Sequence, residues 1–172
     1  MLIGDNPNTY TFSKAMAEGL FYQDESDLPV GIVRPGAVAG SLKEPFPGWI
    51  DNYGAYTGAL APLSQGILRS VIADPKTNVE MVPVDICINL MCAAAWKVAT
   101  EKSGSNIPVY NCAGGARNKI NHQQLFSKFL KIVRKSPSKN QIFYPRFSPT
   151  QNYYLNNFYQ VIWNIRLISF LS

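Results

Sequence analysis

Two side chains near the start of the chain have the types and spacing for proton-transfer chemistry. Tyr10 and Lys14 are four residues apart. On a helix, residues at i and i+4 lie one above the other on the same face. An ammonium one turn from a phenol favours the phenolate. A phenol so placed can give its proton to a carbonyl oxygen as the carbonyl carbon is reduced, and the ammonium can hold the hydroxyls of a sugar. The spacing alone carries little weight, because a solvated Tyr–Lys pair on a helix surface has the same pattern.

The elements around the pair must position it. Asn8 and Thr9 are cap-type residues ahead of a helix predicted over Tyr10–Tyr22, with Phe12, Ala15, Met16 and Leu20 on one face. The polar run Gln23 to Asp27 ends it. Pro29 opens the apolar run Val30–Val33, predicted as a buried strand that closes at Arg34-Pro35. A long loop rich in Gly and Pro follows, Gly36 to Gly54, and loops of that length generally carry function. Ser64 to Ala73 is predicted helical, Val79–Val84 a strand, and Asp85 the cap of a helix over Ile86 to Glu101. Ile107–Cys112 is a further strand. Strands separated by helices point to an α/β fold with a parallel sheet.

Asn121 and Gln124 make a capping-box start for a helix through Lys135, with Leu125, Phe126, Phe129, Leu130 and Val133 at helical spacing. Tyr153–Leu171 places Leu155, Phe158, Tyr159, Ile162, Ile165 and Ile168 at three-to-four spacing, interrupted by Asn156, Asn157, Gln160, Asn164 and Arg166. That pattern predicts an amphipathic helix whose apolar side packs on its own domain, the alternative being a helix that lies on a membrane surface without spanning it.

Of the 172 residues, 47% are apolar, 16% charged and 12% aromatic, which excludes a disordered chain and a coiled coil. Three cysteines with no Cys-x-x-Cys, and one histidine, exclude a disulfide scaffold and a recognisable zinc site, so no metal is expected. Cys87, Cys92 and Cys112 are expected as small buried apolar groups. His122 is expected at a helix N-terminus, and Asp51, Asp74 and Asp85 in loops and caps. No run of 18 apolar residues and no signal-peptide pattern occurs, so an intracellular, reducing compartment is the expectation.

The charge is divided. Residues 1–101 hold 6 Lys/Arg and 11 Asp/Glu; residues 102–172 hold 10 Lys/Arg and no acid. This predicts a change of module near residue 102. The basic, aromatic second half suits an anionic ligand or membrane surface, although an ordinary solvated face has the same composition. With no RNP pattern, zinc finger or basic heptad, a nucleic-acid partner is not expected.

The context of Tyr10 and Lys14 adds a resemblance. Their helix, followed by a strand ending in Arg34-Pro35-Gly36 with Val38 and Gly40, is similar in organisation to the extended short-chain dehydrogenase/reductases. The words Asn8 to Ala15 with Ala17-Glu18, Ile32 to Pro35, and above all Glu44-Pro45-Phe46-Pro47-Gly48-Trp49-Ile50-Asp51-Asn52 resemble alcohol-forming fatty acyl-CoA reductases. Agreement continues through Tyr56-Thr57-Gly58, Gly66, Arg69 and Val82 to Asp85. It covers residues 4–115 well and the remainder loosely. Sugar epimerases and dehydratases of the same superfamily do not carry the Glu44–Asn52 run.

The resemblance implies a fold and a chemistry. Residues 1–115 would be the C-terminal part of a Rossmann-like doubly wound parallel sheet, and residues 116–172 a linker and the start of a mostly helical domain. The cofactor would be NADPH and the substrate a long-chain acyl-CoA, reduced through an aldehyde to a fatty alcohol. Tyr10 would donate the proton, with Lys14 tuning it and binding ribose. Arg34, Pro35, Gly36 and Val38 would lie beside the nicotinamide, with Gly36 and Gly40 allowing close approach. Peripheral contact with a peroxisomal or endoplasmic reticulum membrane is implied as well. The phosphate-binding Gly-x-x-Gly-x-x-Gly turn and the third catalytic Ser/Thr belong upstream of residue 1. Ser13 is on another helix face, and Cys112 to Ala116 lacks the spacing. The 172 residues alone are therefore expected to be inactive. Two other readings fit the same residues: a different extended reductase or epimerase, and a non-catalytic truncated product.

Overall fold

The computed structural model describes residues 4, 6–23, 28–101, 106–115 and 119–171. The backbone runs through α1 (Thr9–Gln23), β1 (Ile32–Pro35), β2 (Ala37–Ala39), α2 (Ala55–Ser64), β3 (Met81–Pro83), α3 (Val84–Thr100), β4 (Val109–Cys112), α4 (His122–Lys135) and α5 (Tyr153–Leu171). The strands form two parallel two-stranded ladders, β1 with β4 and β2 with β3, with α2 and α3 in the connections, the α/β organisation of the C-terminal part of a Rossmann-like fold.

β1 pairs with β4 from Ile32↔Val109 to Pro35↔Cys112, and β2 with β3 from Ala37↔Met81 to Ala39↔Pro83. The three predicted strands exist, each beginning two residues later than the apolar runs suggest. β2 was hidden in the long loop. The chain passes from one ladder to the other within a single residue. Gly36 donates its N–H to Cys112 at 2.8 Å, and Ala37 donates to Glu80 at 2.8 Å. A Cβ on Gly36 would stand 2.8 Å from the Glu80 carbonyl oxygen, so the crossover needs glycine.

Asn8 caps α1 by accepting the Thr11 N–H at 2.9 Å. The predicted apolar face of this helix is not its contact face: Met16 and Leu20 are exposed, while Phe12, Glu18 and Gly19 are half-buried. An ion pair from Glu18 to β1, described below, sets this rotation. The polar run proposed to end the helix includes residues 24–27, which lie outside the described residues.

The helix expected over Ser64 to Ala73 is misplaced. It lies one segment earlier, as α2, and contains Pro62, whose presence with Gly58 disguised it. The chain reverses after α2 at Gly66, where φ is +75° and an added Cβ would stand 2.1 Å from the Phe143 carbonyl oxygen. Residues 69–73 run alongside residues 148–150 instead. Ser148 donates to Arg69, Thr150 to Val71 and Ala73 to Thr150, each at 3.1 Å. Asp85 is also not the cap of α3, whose N-cap is Pro83.

Two buried clusters hold these pieces together. Val82, Cys87 and Cys112 pack with Val33 and Leu90 beneath the strands. Leu63, Phe126 and Leu130 join α2 to α4, with Leu60, Leu68, Phe129 and Phe147 around them. Burying side chains of this size contributes about 1.5–3 kcal/mol each. Cys87 and Cys112 are buried as expected, but Cys92 is exposed.

α4 begins with the expected capping box, Asn121 accepting from Gln124 N–H and Gln124 reaching back to Asn121 N–H. α5 is rotated away from expectation: Leu155 and Phe158 are exposed and Tyr159 partly so, whereas Asn156 is buried. Its entry decides this. The chain is paired at Ile72↔Thr150 and capped by Asn152, which accepts from Leu155 N–H at 3.0 Å, so the helix starts with Asn156 turned inward. Ile165 and Ile168 lie outside the described side chains. Among the described residues no helix is long and apolar enough to cross a membrane.

Candidate active site

Tyr10 and Lys14 emerge from the first turns of α1 on its open side. Tyr10 is 68% exposed, and Lys14 Nζ lies 5.7 Å from the Tyr10 ring centroid. The pair is stacked as the spacing predicted, with its phenol and ammonium both accessible. Ser13 is occupied elsewhere: its Oγ donates to the Tyr10 carbonyl at 2.9 Å.

One turn further on, the same helix is tied to the sheet. Arg34 Nε donates to both carboxylate oxygens of Glu18 at 3.1 Å, and its terminal nitrogen donates to Glu18 Oε2. The Arg34 hydrogen bonds hold the Glu18 carboxyl below its ordinary range, and Glu18 raises the guanidinium in turn. Arg34 thus fastens α1 to β1. Pro35 ends β1, Gly36 makes the crossover, and Val38 sits in β2 opposite Val82 with its side chain partly exposed. Among the described residues no hydrogen bond or ion pair joins Tyr10 or Lys14 to Pro35, Gly36 or Val38; the link between helix and strand end is Glu18–Arg34.

The Glu44–Asn52 run is part of a pinned loop. Ser41, buried, donates its N–H to Trp49 at 3.0 Å and its Oγ to Phe46 at 2.6 Å, and Gly48 donates back to Ser41 at 2.9 Å. Asp85 reaches across from α3. Its carboxylate accepts from the N–H groups of Leu42, Lys43 and Glu44 at 2.9, 2.8 and 3.3 Å. These backbone donors lower its carboxyl from 3.8 to about 2. Sequence spacing carries no signal for this contact, because the partners are more than forty residues apart.

A second polar arrangement was also missed. His122, the first residue of α4, has Nδ1 3.0 Å from the Asp74 carbonyl oxygen and Nε2 3.2 Å from Tyr56 Oη. A carbonyl only accepts, so Nδ1 carries a proton, and in the neutral imidazole Nε2 accepts from the phenol. Burial pushes the Tyr56 phenol up, which keeps it protonated. The pair lies on a cleft of about 290 Å³ lined by Ala55, Ala59, Val71, Ala73 and Phe126. Another cleft, about 410 Å³, separates the approach to β1 from α3 at Pro29, Val30, Val33, Met91, Ala94 and Val98.

A Tyr-x-x-x-Lys helix fastened to a parallel α/β sheet defines the class as a nicotinamide-nucleotide-binding type of domain, and the profile of the NAD-binding family described as male sterility protein matches residues 2–91. Known relatives sharpen this. The chain is 37% identical over 158 residues to "Fatty acyl-CoA reductase 1" of Homo sapiens, covering 92% of this chain and 30% of the relative. It is 40% identical over 162 residues to the protein of that name from Rattus norvegicus, covering 94% and 30%. It is 36% identical over 147 residues to "Fatty acyl-CoA reductase wat" of Drosophila melanogaster, covering 86% and 28%. The chain belongs to the fatty acyl-CoA reductase family. It spans less than a third of the length of these relatives.

Proposed function

We propose that these residues supply the proton-donating part of an NADPH-dependent reductase that converts a long-chain acyl-CoA to a fatty alcohol through an aldehyde. The observation that carries this reading is the stacked, accessible Tyr10–Lys14 pair on a helix fastened to the end of β1. The donor set suits the cofactor: a phenol for a carbonyl oxygen, and one turn away an ammonium for ribose hydroxyls.

Two molecules of NADPH, bound in turn, would supply one hydride to each reduction. Tyr10 Oη donates a proton to the substrate oxygen each time. The hemithioacetal so formed gives up its hydroxyl proton, which ends on the departing sulfur, as the carbon–sulfur bond breaks, releasing CoA thiol and leaving the aldehyde; the second reduction gives the alcohol. Lys14 stabilises the transient phenolate and holds the ribose. Arg34 acts through Glu18 by fixing α1 against β1, and Pro35, Gly36 and Val38 form the neighbouring wall. In the same proposal, residues 1–115 belong to the nucleotide-binding domain and 116–172 to a following helical region. The exposed Leu155 and Phe158 and the lysines of α4 give peripheral contact with a peroxisomal or endoplasmic reticulum membrane.

The test is a chimera in which this chain replaces the matching part of the human relative. NADPH oxidation with palmitoyl-CoA, lost in Tyr10→Phe, is the expected result. A folded chimera that oxidises NADPH only with a sugar nucleotide, or not at all, overturns the reading. The 172 residues without that context are expected to show no turnover, since no Gly-x-x-Gly-x-x-Gly turn occurs in them to cradle the pyrophosphate.

A further inference from the structure

The cleft between α2 and α4 takes no part in the chemistry above. We propose that it binds a straight-chain primary alcohol, with the hydroxyl held by Tyr56 and the alkyl chain lying in the slot. That this alcohol is the product of the enzyme rests on the reductase reading; the site itself does not.

The argument starts from what lines the cleft. Ala55, Ala59, Val71 and Ala73 are small and apolar, and Phe126 closes one side. Larger residues at the three alanines would fill the space. At about 290 Å³, the cleft is at the small end of ligand pockets (~300–1,000 Å³), so it takes a thin chain of moderate length. Its polar side chains are Tyr56 and His122, and their hydrogen bonds run in one direction. The Asp74 carbonyl fixes the proton on His122 Nδ1, so Nε2 takes the proton of Tyr56. With the imidazole neutral the phenol has thus spent its donor, and what remains on Oη is acceptor capacity. The complementary ligand group is a hydroxyl, which has a proton to give; an aldehyde or thioester has none. Ala55 adds an independent sign. It lines the cleft with φ at +46°, a left-handed conformation that is costly for a residue with a Cβ and that concentrates at ligand sites.

His122 is the sole histidine of the chain, so its ring Cε1–H proton resonance reports on the site without ambiguity. The test titrates the chain at constant pH with 1-octanol, with octanal and with n-octane. The expected result is a saturable shift of the His122 resonance with 1-octanol and binding of octanal weaker by roughly three- to tenfold, the worth of one hydrogen bond. Ala59→Leu should abolish the shift by filling the slot, and Tyr56→Phe should erase the preference for alcohol over aldehyde; far-UV circular dichroism establishes that each variant is folded. A shift that never saturates, equal affinity for octanol and octanal in the unaltered chain, or octanol binding that survives in folded Ala59→Leu overturns the proposal. Saturable octanol binding beside an inactive chimera would instead overturn the reductase reading and leave the site standing.

Discussion

Arg34 on β1 grips the carboxylate of Glu18 on α1 through both Nε and a terminal nitrogen, so the helix that carries Tyr10 and Lys14 is tied to that strand. The pair is solvent-exposed in part, so its role is positional more than stabilising. Glu18→Gln should leave the thermal midpoint nearly unchanged and accelerate amide hydrogen exchange along α1. The Glu18 carboxyl is held below its ordinary value of 4.5. The tie is therefore complete above that value and is lost as pH falls through the lowered one. Unchanged α1 exchange in Glu18→Gln would show that the helix is held by other contacts.

Asp85 fastens the loop that precedes Trp49. Its carboxyl is at about 2 when folded, against an ordinary 3.8. A depressed carboxylate contributes fully above the unfolded value and loses that contribution as pH falls through the folded one. The protection of the Leu42, Lys43 and Glu44 amides, taken relative to their intrinsic exchange rates, should thus fall as pH drops through about 2, and Asp85→Ala should remove the same protection at neutral pH. Full protection of these three amides in folded Asp85→Ala would refute the carboxylate's role.

Opposite outcomes are expected from the same substitution at two glycines. Gly66→Ala places a Cβ against the Phe143 carbonyl at a positive φ, and strain of this kind costs on the order of 1–3 kcal/mol before the clash is added. Gly19 lies inside α1 with nothing near its missing Cβ, and alanine there should gain about 0.5–1 kcal/mol of helix propensity. Urea denaturation of the two variants decides the matter through the sign of the shift in midpoint.

Leu63 is fully buried at the junction of α2 and α4. Leu63→Ala should cost about 2–5 kcal/mol, the range for a large-to-small change in a packed core. Chemical denaturation measures it; a loss below about 1 kcal/mol would mean that the cluster collapses to fill the space.

In the chimera, Tyr10→Phe should lower kcat by about 10²–10⁴, the usual contribution of general acid catalysis, with little change in stability because the side chain is exposed. Lys14→Ala should lower kcat and raise KM for NADPH together, since one ammonium serves both tasks. Activity of Tyr10→Phe within about threefold of the unaltered chimera would remove Tyr10 from the mechanism.

Local pattern in the sequence determined much of this protein. The Tyr10–Lys14 face, the Asn8 cap, the Asn121–Gln124 capping box and the existence of β1, β3 and β4 follow from residues within a few positions of each other, because helix faces, caps and apolar runs are short-range properties. Tertiary structure decided the rest. α2 forms around Gly58 and Pro62, against intrinsic propensity, because Leu63 gains a core with Phe126 and Leu130 from distant parts of the chain. The region after it is not helical because residues 148–150 lie alongside. Asp85 serves a loop rather than its own helix, α5 turns Asn156 inward, and Tyr56 meets His122 across 66 positions. In each case the partner is supplied by the fold, and hydrogen-bonding and burial energies between distant residues leave no periodicity in the sequence from which they could be read.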